Sequence, residues 1–204
     1  MQTRPKGWAT VLAGLVAATG IACSEQGGPR PVAPGADPQG HTAAALPAGD
    51  ERDFADARRG LLASEPEVVI EDGRGRRIWD TAVYGFVSGD APETVHPSLW
   101  RQARLNGIHG LFEVADGVYQ VRGYDLSNMT LIRGATGWIV VDPLTATETA
   151  AAALALARRT LGTAPVVAVV FTHSHVDHFG GVAAVVPEEP AARAALRVIA
   201  PARF

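Results

Sequence analysis

Short apolar-rich segments recur through the second half of the chain, and turns separate them. Asp116-Gly117 has the composition of a tight hairpin turn, and Asp142-Pro143 ends the last segment because proline cannot continue a sheet ladder. Apolar-rich segments bounded by such turns predict strands. The four strands predicted in this way form a β-meander: residues 111–115, 118–124, 129–133 and 138–141.

A helix and a fifth strand follow the meander. Thr145 and Glu148 have the spacing of a capping box, and the alanine- and leucine-rich stretch after them predicts a helix that ends near Leu161. The valine-rich run at residues 166–171 is typical of a parallel strand that is buried on both faces. Strand 138–141, the helix and this run therefore predict one βαβ unit with a right-handed crossover.

Shorter patterns give the remaining elements. Helix-forming composition predicts further helices, and apolar runs on either side of Asp72-Gly73 predict a hairpin. The mixture of helices and strands predicts an α/β fold. These helices are expected at residues 50–62, 97–106, 182–186 and 191–196. The additional strands are expected at residues 68–70, 77–79 and 197–200.

The first fifty residues differ in composition from the rest. Residues 1–23 have a basic start and an apolar stretch that ends in small residues, which is typical of a bacterial export signal. Gly20-Ile21-Ala22-Cys23 is similar to a lipobox, so Cys23 is expected to carry lipid, with an ordinary cleavage site as the alternative. Residues 24–50 are rich in proline, glycine and alanine and predict a flexible linker. The mature chain is therefore expected in the periplasm, free or as a membrane-anchored lipoprotein.

Composition limits what the remaining part can be. The chain has 204 residues, of which 47% are hydrophobic, and this is enough for a packed domain, assigned to residues 51–204. Its 18 basic and 21 acidic residues include no basic cluster, which excludes nucleic acid as a partner. The single cysteine, Cys23, excludes a disulfide within the chain. Stability must therefore come from the core and any bound metal.

Three histidines and one aspartate lie close together directly after the valine-rich strand. His173 and His175, two residues apart, point the same way on an extended backbone, whereas Asp177 and His178 face a second direction. Four ligands divided into two pairs fit two adjacent metal ions better than one. Because sites in open α/β sheets form beyond the carboxyl ends of strands, this loop is the predicted metal centre.

Asp142 and three histidines outside this loop also have ligand-type side chains. Asp142 leaves the first strand of the βαβ unit at the same edge, where it either supports a metal ligand or caps the turn before Pro143. His41, His96 and His109 have no second ligand-type residue at useful spacing and are expected to be structural.

The motif His-x-His-x-Asp-His resembles the metallo-β-lactamase superfamily, and longer stretches around it resemble the linear alkylsulfatase family. The resemblance runs from about Phe54 to the end of the chain. It is strongest in four stretches: residues 97–102 (PSLWRQ), 128–134 (NMTLIRG), 136–144 (TGWIVVDPL) and 171–182.

This resemblance implies a fold and an activity. The fold would be the αββα sandwich of the superfamily, incomplete in this chain. Two zinc ions would be held by His173, His175, Asp177 and His178, and Asp177, as a carboxylate at the metals, is the candidate catalytic residue that orients water. The substrate would be a primary alkyl sulfate such as dodecyl sulfate, and the full-length enzyme would be a homodimer.

The resemblance also implies that residues 51–204 are the N-terminal part of a longer catalytic domain and that the fragment itself is inactive. Alkylsulfatases are longer, with later ligands, and no histidine or cysteine follows His178 in this chain. Two alternatives stay open. One is another hydrolase of the superfamily, such as a lactonase, a thioesterase or a β-lactamase. The other is a non-catalytic module that is tethered to the cell envelope.

Overall fold

The structure is a computed structural model that describes residues 51–204. The predicted export signal (1–23) and linker (24–50) lie outside the described residues, together with Cys23 and His41. Of the helices within residues 51–204, none has the length and apolar character needed to cross a membrane.

The helices in this part of the chain lie close to their predicted positions. The helix predicted at residues 97–106 is confirmed, and the short helix predicted at 182–186 is a 3₁₀ helix that ends two residues earlier, at Ala184. The α-helices are α1 (Arg52–Arg58), α2 (Pro97–Asn106), α3 (Thr147–Leu161) and α4 (Pro190–Ala195). The 3₁₀ helices are Thr81–Tyr84, Val176–His178 and Val182–Ala184.

The strands within residues 51–204 form two sheets. They are β1 (Leu61–Ala63), β2 (Val69–Glu71), β3 (Arg77–Asp80), β4 (Gly110–Ala115), β5 (Val118–Arg122), β6 (Met129–Arg133), β7 (Trp138–Val141), β8 (Val166–Val170) and β9 (Arg197–Ile199). The large sheet has the order β1-β4-β5-β6-β7-β8-β9, and β2 pairs with β3. β4 to β7 are antiparallel neighbours, whereas β7, β8 and β9 are parallel. The predicted meander and parallel pair are confirmed.

Helix α3 covers one face of the large sheet and forms the core with it. Its alanine and leucine side chains pack on apolar side chains of β5 to β8, and most of these are less than 5% exposed. Burying each large apolar side chain contributes roughly 1.5–3 kcal/mol. A central sheet with helices confirms the predicted α/β class. The main core residues are Tyr119, Val121, Leu131, Trp138, Val140, Ala150, Ala153, Leu154, Leu156, Ala157 and Val169.

Two predictions of helix ends were wrong. The helix predicted at residues 50–62 ends at Arg58, because Gly60 has a φ of 74° and the next residues pair with β4 as β1. Thr145 is not the N-cap of α3. The N-cap is Ala146, and the Thr145 hydroxyl donates to Asp125 Oδ1 at 2.6 Å instead. In both places, hydrogen bonds to a distant strand or loop formed instead of the local helix contacts that the sequence pattern predicted.

Sheet topology brings three connections to one edge. β7 and β8 are parallel, so the residues that follow each of them leave the sheet at the same edge. β6 is antiparallel to β7, and the loop at residues 123–128 between β5 and β6 therefore also lies there. The segment that carries the predicted metal ligands, residues 171–181, follows β8 and lies at the same edge. We call it the metal loop.

Candidate metal centre

The loop after β8 changes backbone conformation between its second and third ligand candidates. His175 has an extended backbone, with φ −75° and ψ 137°, and the 3₁₀ turn Val176–His178 begins directly after it. The His178 N–H donates to the His175 carbonyl at 3.0 Å, which closes this turn. The turn carries Asp177 and His178, directly after the extended segment that carries the two preceding histidines.

His173 and His175 bring one ring nitrogen each to the same point. His173 Nε2 lies 3.0 Å from His175 Nδ1, and the ring centroids are 4.7 Å apart. The Thr172 hydroxyl lies 2.9 Å from His173 Nδ1, which holds this ring from its other side. Both histidines are exposed to solvent, so their lone pairs are accessible to an ion.

Asp177 and His178 form a second pair. His178 Nε2 lies 3.3 Å from Asp177 Oδ2, and His178 Nδ1 lies 2.8 Å from Asp142 Oδ2. Because a carboxylate accepts hydrogen bonds, Nδ1 carries the proton toward Asp142, and this leaves the lone pair of Nε2 for a metal ion. The His173 and His178 ring centroids are 4.1 Å apart, so the two pairs are neighbours.

Asp142, at the end of β7, is buried and held by several hydrogen bonds. Its backbone adopts φ 54°, which is uncommon for a residue other than glycine, and its side chain is 7% exposed. Its carboxylate accepts from the Thr172 N–H at 2.8 Å, from the Thr172 hydroxyl at 2.6 Å and from His178. Of the two roles left open for Asp142, the structure therefore shows support of a ligand-type histidine.

The donor atoms fit zinc in type and in spacing. Two atoms that share one tetrahedral zinc ion lie about 3.3 Å apart, given Zn–N distances of about 2.0–2.1 Å. The separations of 3.0 Å and 3.3 Å within the two pairs are close to this value. Within residues 51–204, no group of three or more His, Cys, Asp or Glu side chains converges as a metal site. Each pair supplies two donor atoms, and the number of ions and their assignment to the pairs stay predictions.

A serine from a distant loop fixes the main chain of the metal loop. Ser127, in the β5–β6 loop, donates from its hydroxyl to the Asp177 carbonyl oxygen. Asp125 of the same loop is 7% exposed and accepts hydrogen bonds from the N–H and hydroxyl of Thr145 and from the Thr149 hydroxyl. These bonds tie the metal loop and the start of α3 to one connection.

Sequence reasoning did not identify Ser127 or Asp125. Fifty residues separate Ser127 from Asp177, so no local spacing connects them. The predicted meander was the signal that could have found them. β5 is antiparallel to β6 and β6 to β7, so β5 ends at the same edge of the sheet as β7, and the β5–β6 loop begins there, near the metal loop.

The histidines predicted to be structural make backbone contacts. His96 Nδ1 accepts from the Ser98 N–H at 3.2 Å and caps α2. His109 lies 2.9 Å from the Gly107 carbonyl and 2.7 Å from the Glu65 carbonyl. Neither contacts the metal loop in these bonds.

Comparison with known proteins agrees with this geometry. Residues 122–203 match the family model of the metallo-beta-lactamase superfamily. The chain is 49% identical over 161 residues to a linear primary-alkylsulfatase of Pseudomonas sp. and 48% identical over 160 residues to an alkyl/aryl-sulfatase of Saccharomyces cerevisiae. Each match covers 78% of this chain, and 24% and 25% of the respective relatives.

A solved structure gives the same result. The stereoselective inverting sec-alkylsulfatase Pisa1 of Pseudomonas sp. superposes with a TM-score of 0.72 at 44% identity, over 80% of this chain and 26% of that one. The chain thus spans about a quarter of the length of the relatives that it matches. The chain thus carries a domain of the metallo-beta-lactamase superfamily and is similar to alkylsulfatases over 78% of its length.

Proposed function

We propose that the full-length protein, the product of the complete reading frame that carries this chain, hydrolyses primary alkyl sulfate esters such as dodecyl sulfate. The reaction consumes water and releases an alcohol, sulfate and a proton. The observation that carries the proposal is the division of four ligand-type side chains into two adjacent pairs, in a chain 49% identical to a primary alkylsulfatase. Zinc is the proposed metal, with one ion at each pair.

The chain's own residues have separate parts in this proposal. When zinc is bound at such a site, it acidifies coordinated water and neutralises negative charge on the ester. Asp177 has two carboxylate oxygens, so it can hold an ion with one and orient the attacking water with the other. Asp142 keeps the proton of His178 on Nδ1, and Ser127 holds the Asp177 main chain. This chemistry needs no serine or cysteine nucleophile.

The choice of a primary ester rests on one relative. The relatives include a linear primary-alkylsulfatase and an (R)-specific secondary-alkylsulfatase, at 49% and 46% identity. The small difference in identity favours the primary ester only slightly, so the assay must include both substrate types.

A substrate panel tests the proposal. The full-length protein is incubated with dodecyl sulfate, a secondary alkyl sulfate, a β-lactam, a lactone and a glutathione thioester, and sulfate release is followed by ion chromatography. We expect sulfate release from dodecyl sulfate, faster than from the secondary ester, and loss of this release after chelation. Hydrolysis of the lactam, lactone or thioester without sulfate release would establish another superfamily activity. No turnover of any substrate by metal-loaded protein would support the non-catalytic module.

A further inference from the structure

A large cavity lies at the same sheet edge as the metal loop. Its volume is about 1070 Å³, and it is bounded by α1, α2, the 3₁₀ helix Thr81–Tyr84 and the β5–β6 loop. Asp125, Leu126 and Asn128 of that loop line it, while Ser127 between them donates to Asp177. The cavity and the metal loop are therefore joined through one connection.

Arg122 gives this cavity a half-buried positive charge. Its Nε donates to Gln120 Oε1 at 2.7 Å, and its guanidinium carbon lies 4.4 Å from the centre of the buried Phe112 ring. These two contacts fix the guanidinium plane. Among the ion pairs of residues 51–204, none involves Arg122. Burial lowers the pKa of Arg122 from its ordinary value, yet an arginine stays charged at neutral pH.

The carboxylates of the cavity wall do not neutralise this charge directly. Asp53 accepts from Arg101 at 3.0 Å, and Asp125 is already hydrogen-bonded to Thr145 and Thr149. Glu67, the third acid of the wall, is exposed to solvent. A half-buried guanidinium without a carboxylate partner is a favourable place for an anion with two or more oxygens, because its planar fork donates two parallel hydrogen bonds.

Apolar side chains cover another part of the wall. Trp79 donates its Nε1–H to the Gly123 carbonyl at 2.9 Å, which holds the indole beside the loop. Tyr84 and Leu126, which are 52% and 77% exposed, also line the cavity. Exposed apolar surface next to an unpaired cation suits a ligand with an anionic head and an apolar tail.

We propose that this cavity binds an amphiphilic anion, with the sulfate or sulfonate head paired to Arg122 and the alkyl tail along Tyr84 and Leu126. The class of ligand follows from the wall, whereas its identification as an alkyl sulfate, bound here apart from the metal ions, rests on the proposed function. The site shares the β5–β6 loop with the metal centre, and none of the four ligand candidates lines it.

Binding of octanesulfonate to the full-length protein tests this site. A sulfonate has no ester bond and is not hydrolysed, and calorimetric titration is made below the micelle concentration, with and without a chelator. We expect binding in both conditions and about tenfold weaker binding by Arg122→Met, because a hydrogen bond to a charged group is lost. Arg122→Lys should keep part of the affinity. Inorganic sulfate and octyltrimethylammonium, which lack the tail and the negative charge respectively, should bind more weakly than octanesulfonate.

Matched variants separate this site from general detergent binding. Arg133→Met removes an arginine that also lies over an aromatic ring, 4.5 Å from the centre of Trp138, and should leave the affinity unchanged. If Arg122→Met fails to fold, Leu126→Asp places a negative charge on the exposed wall and should weaken binding about tenfold, whereas Leu99→Asp, at a 64% exposed residue outside the cavity, should not. Equal affinity of Arg122→Met or Leu126→Asp and the parent would overturn the site. Binding that follows these expectations without sulfate release from dodecyl sulfate would contradict only the proposed function.

Discussion

Replacing Asp177 by asparagine is expected to lower sulfate release by the full-length protein by about 10²- to 10⁴-fold, the range typical of a lost general base or water-orienting group. Asparagine has the same shape but lacks the negative charge and one of the two carboxylate oxygens. The fold should be unaffected, because the bond from Ser127 goes to the Asp177 main chain and not to its carboxylate. The kcat/KM for dodecyl sulfate is the quantity to measure.

The matched control is Asp116→Asn, the same chemical change at an exposed residue of the β4–β5 turn. Its kcat/KM should equal that of the parent. Circular dichroism should be the same for all three proteins, and so should the Tm of their metal-free forms, in which metal binding does not contribute to stability. If Asp177→Asn kept more than about a tenth of the parental kcat/KM, Asp177 would not have the role assigned to it.

Replacing Gly181 by alanine is expected to destabilise the fold by about 3 kcal/mol, the upper part of the range for steric overpacking. A Cβ on Gly181 would lie 2.2 Å from the Pro143 carbonyl oxygen and 2.6 Å from that of Ala146, and neither is flexible. The Gly181 N–H also donates to the Leu144 carbonyl at 2.9 Å, so the contact between the metal loop and the start of α3 has no space for relaxation. The Tm should fall by about 6–12 °C.

Gly73→Ala is the control for this substitution. Gly73 lies in the β2–β3 turn, where an added Cβ would meet nothing within 4 Å. Its Tm should therefore be close to that of the parent. Equal Tm values for Gly181→Ala and Gly73→Ala would show that the close approach at Gly181 is absent in solution.

Much of the fold followed from local sequence patterns. Turn dipeptides such as Asp116-Gly117 and the valine-rich run of β8 act through short-range backbone preferences, so the meander and the βαβ unit were predicted within a few residues. Local patterns failed where a distant partner was available. Residues 61–63 pair with β4 instead of extending α1, and the Thr145 hydroxyl bonds to Asp125 instead of capping α3.

In the candidate metal site, too, local features could be predicted and contacts between distant residues could not. Its four ligand-type residues lie within six positions on one loop, so their closeness in space could be predicted from the sequence alone, while their division between two ions stays a prediction. The residues that hold them could not be identified with the same certainty. Asp142 was one of two open interpretations, and Ser127 depends on sheet register that no local spacing encodes.

Metal content tests the central claim, that the two pairs hold one ion each. Full-length protein, His173→Ala/His175→Ala and Asp177→Ala/His178→Ala are loaded with zinc, freed of excess metal and analysed by mass spectrometry of the metal. We expect about two ions for each parent chain and about one for either double variant, because each substitution removes the ligands of one tetrahedral site only. Unchanged zinc content in either double variant, or loss of both ions from each, would contradict the division into two pairs.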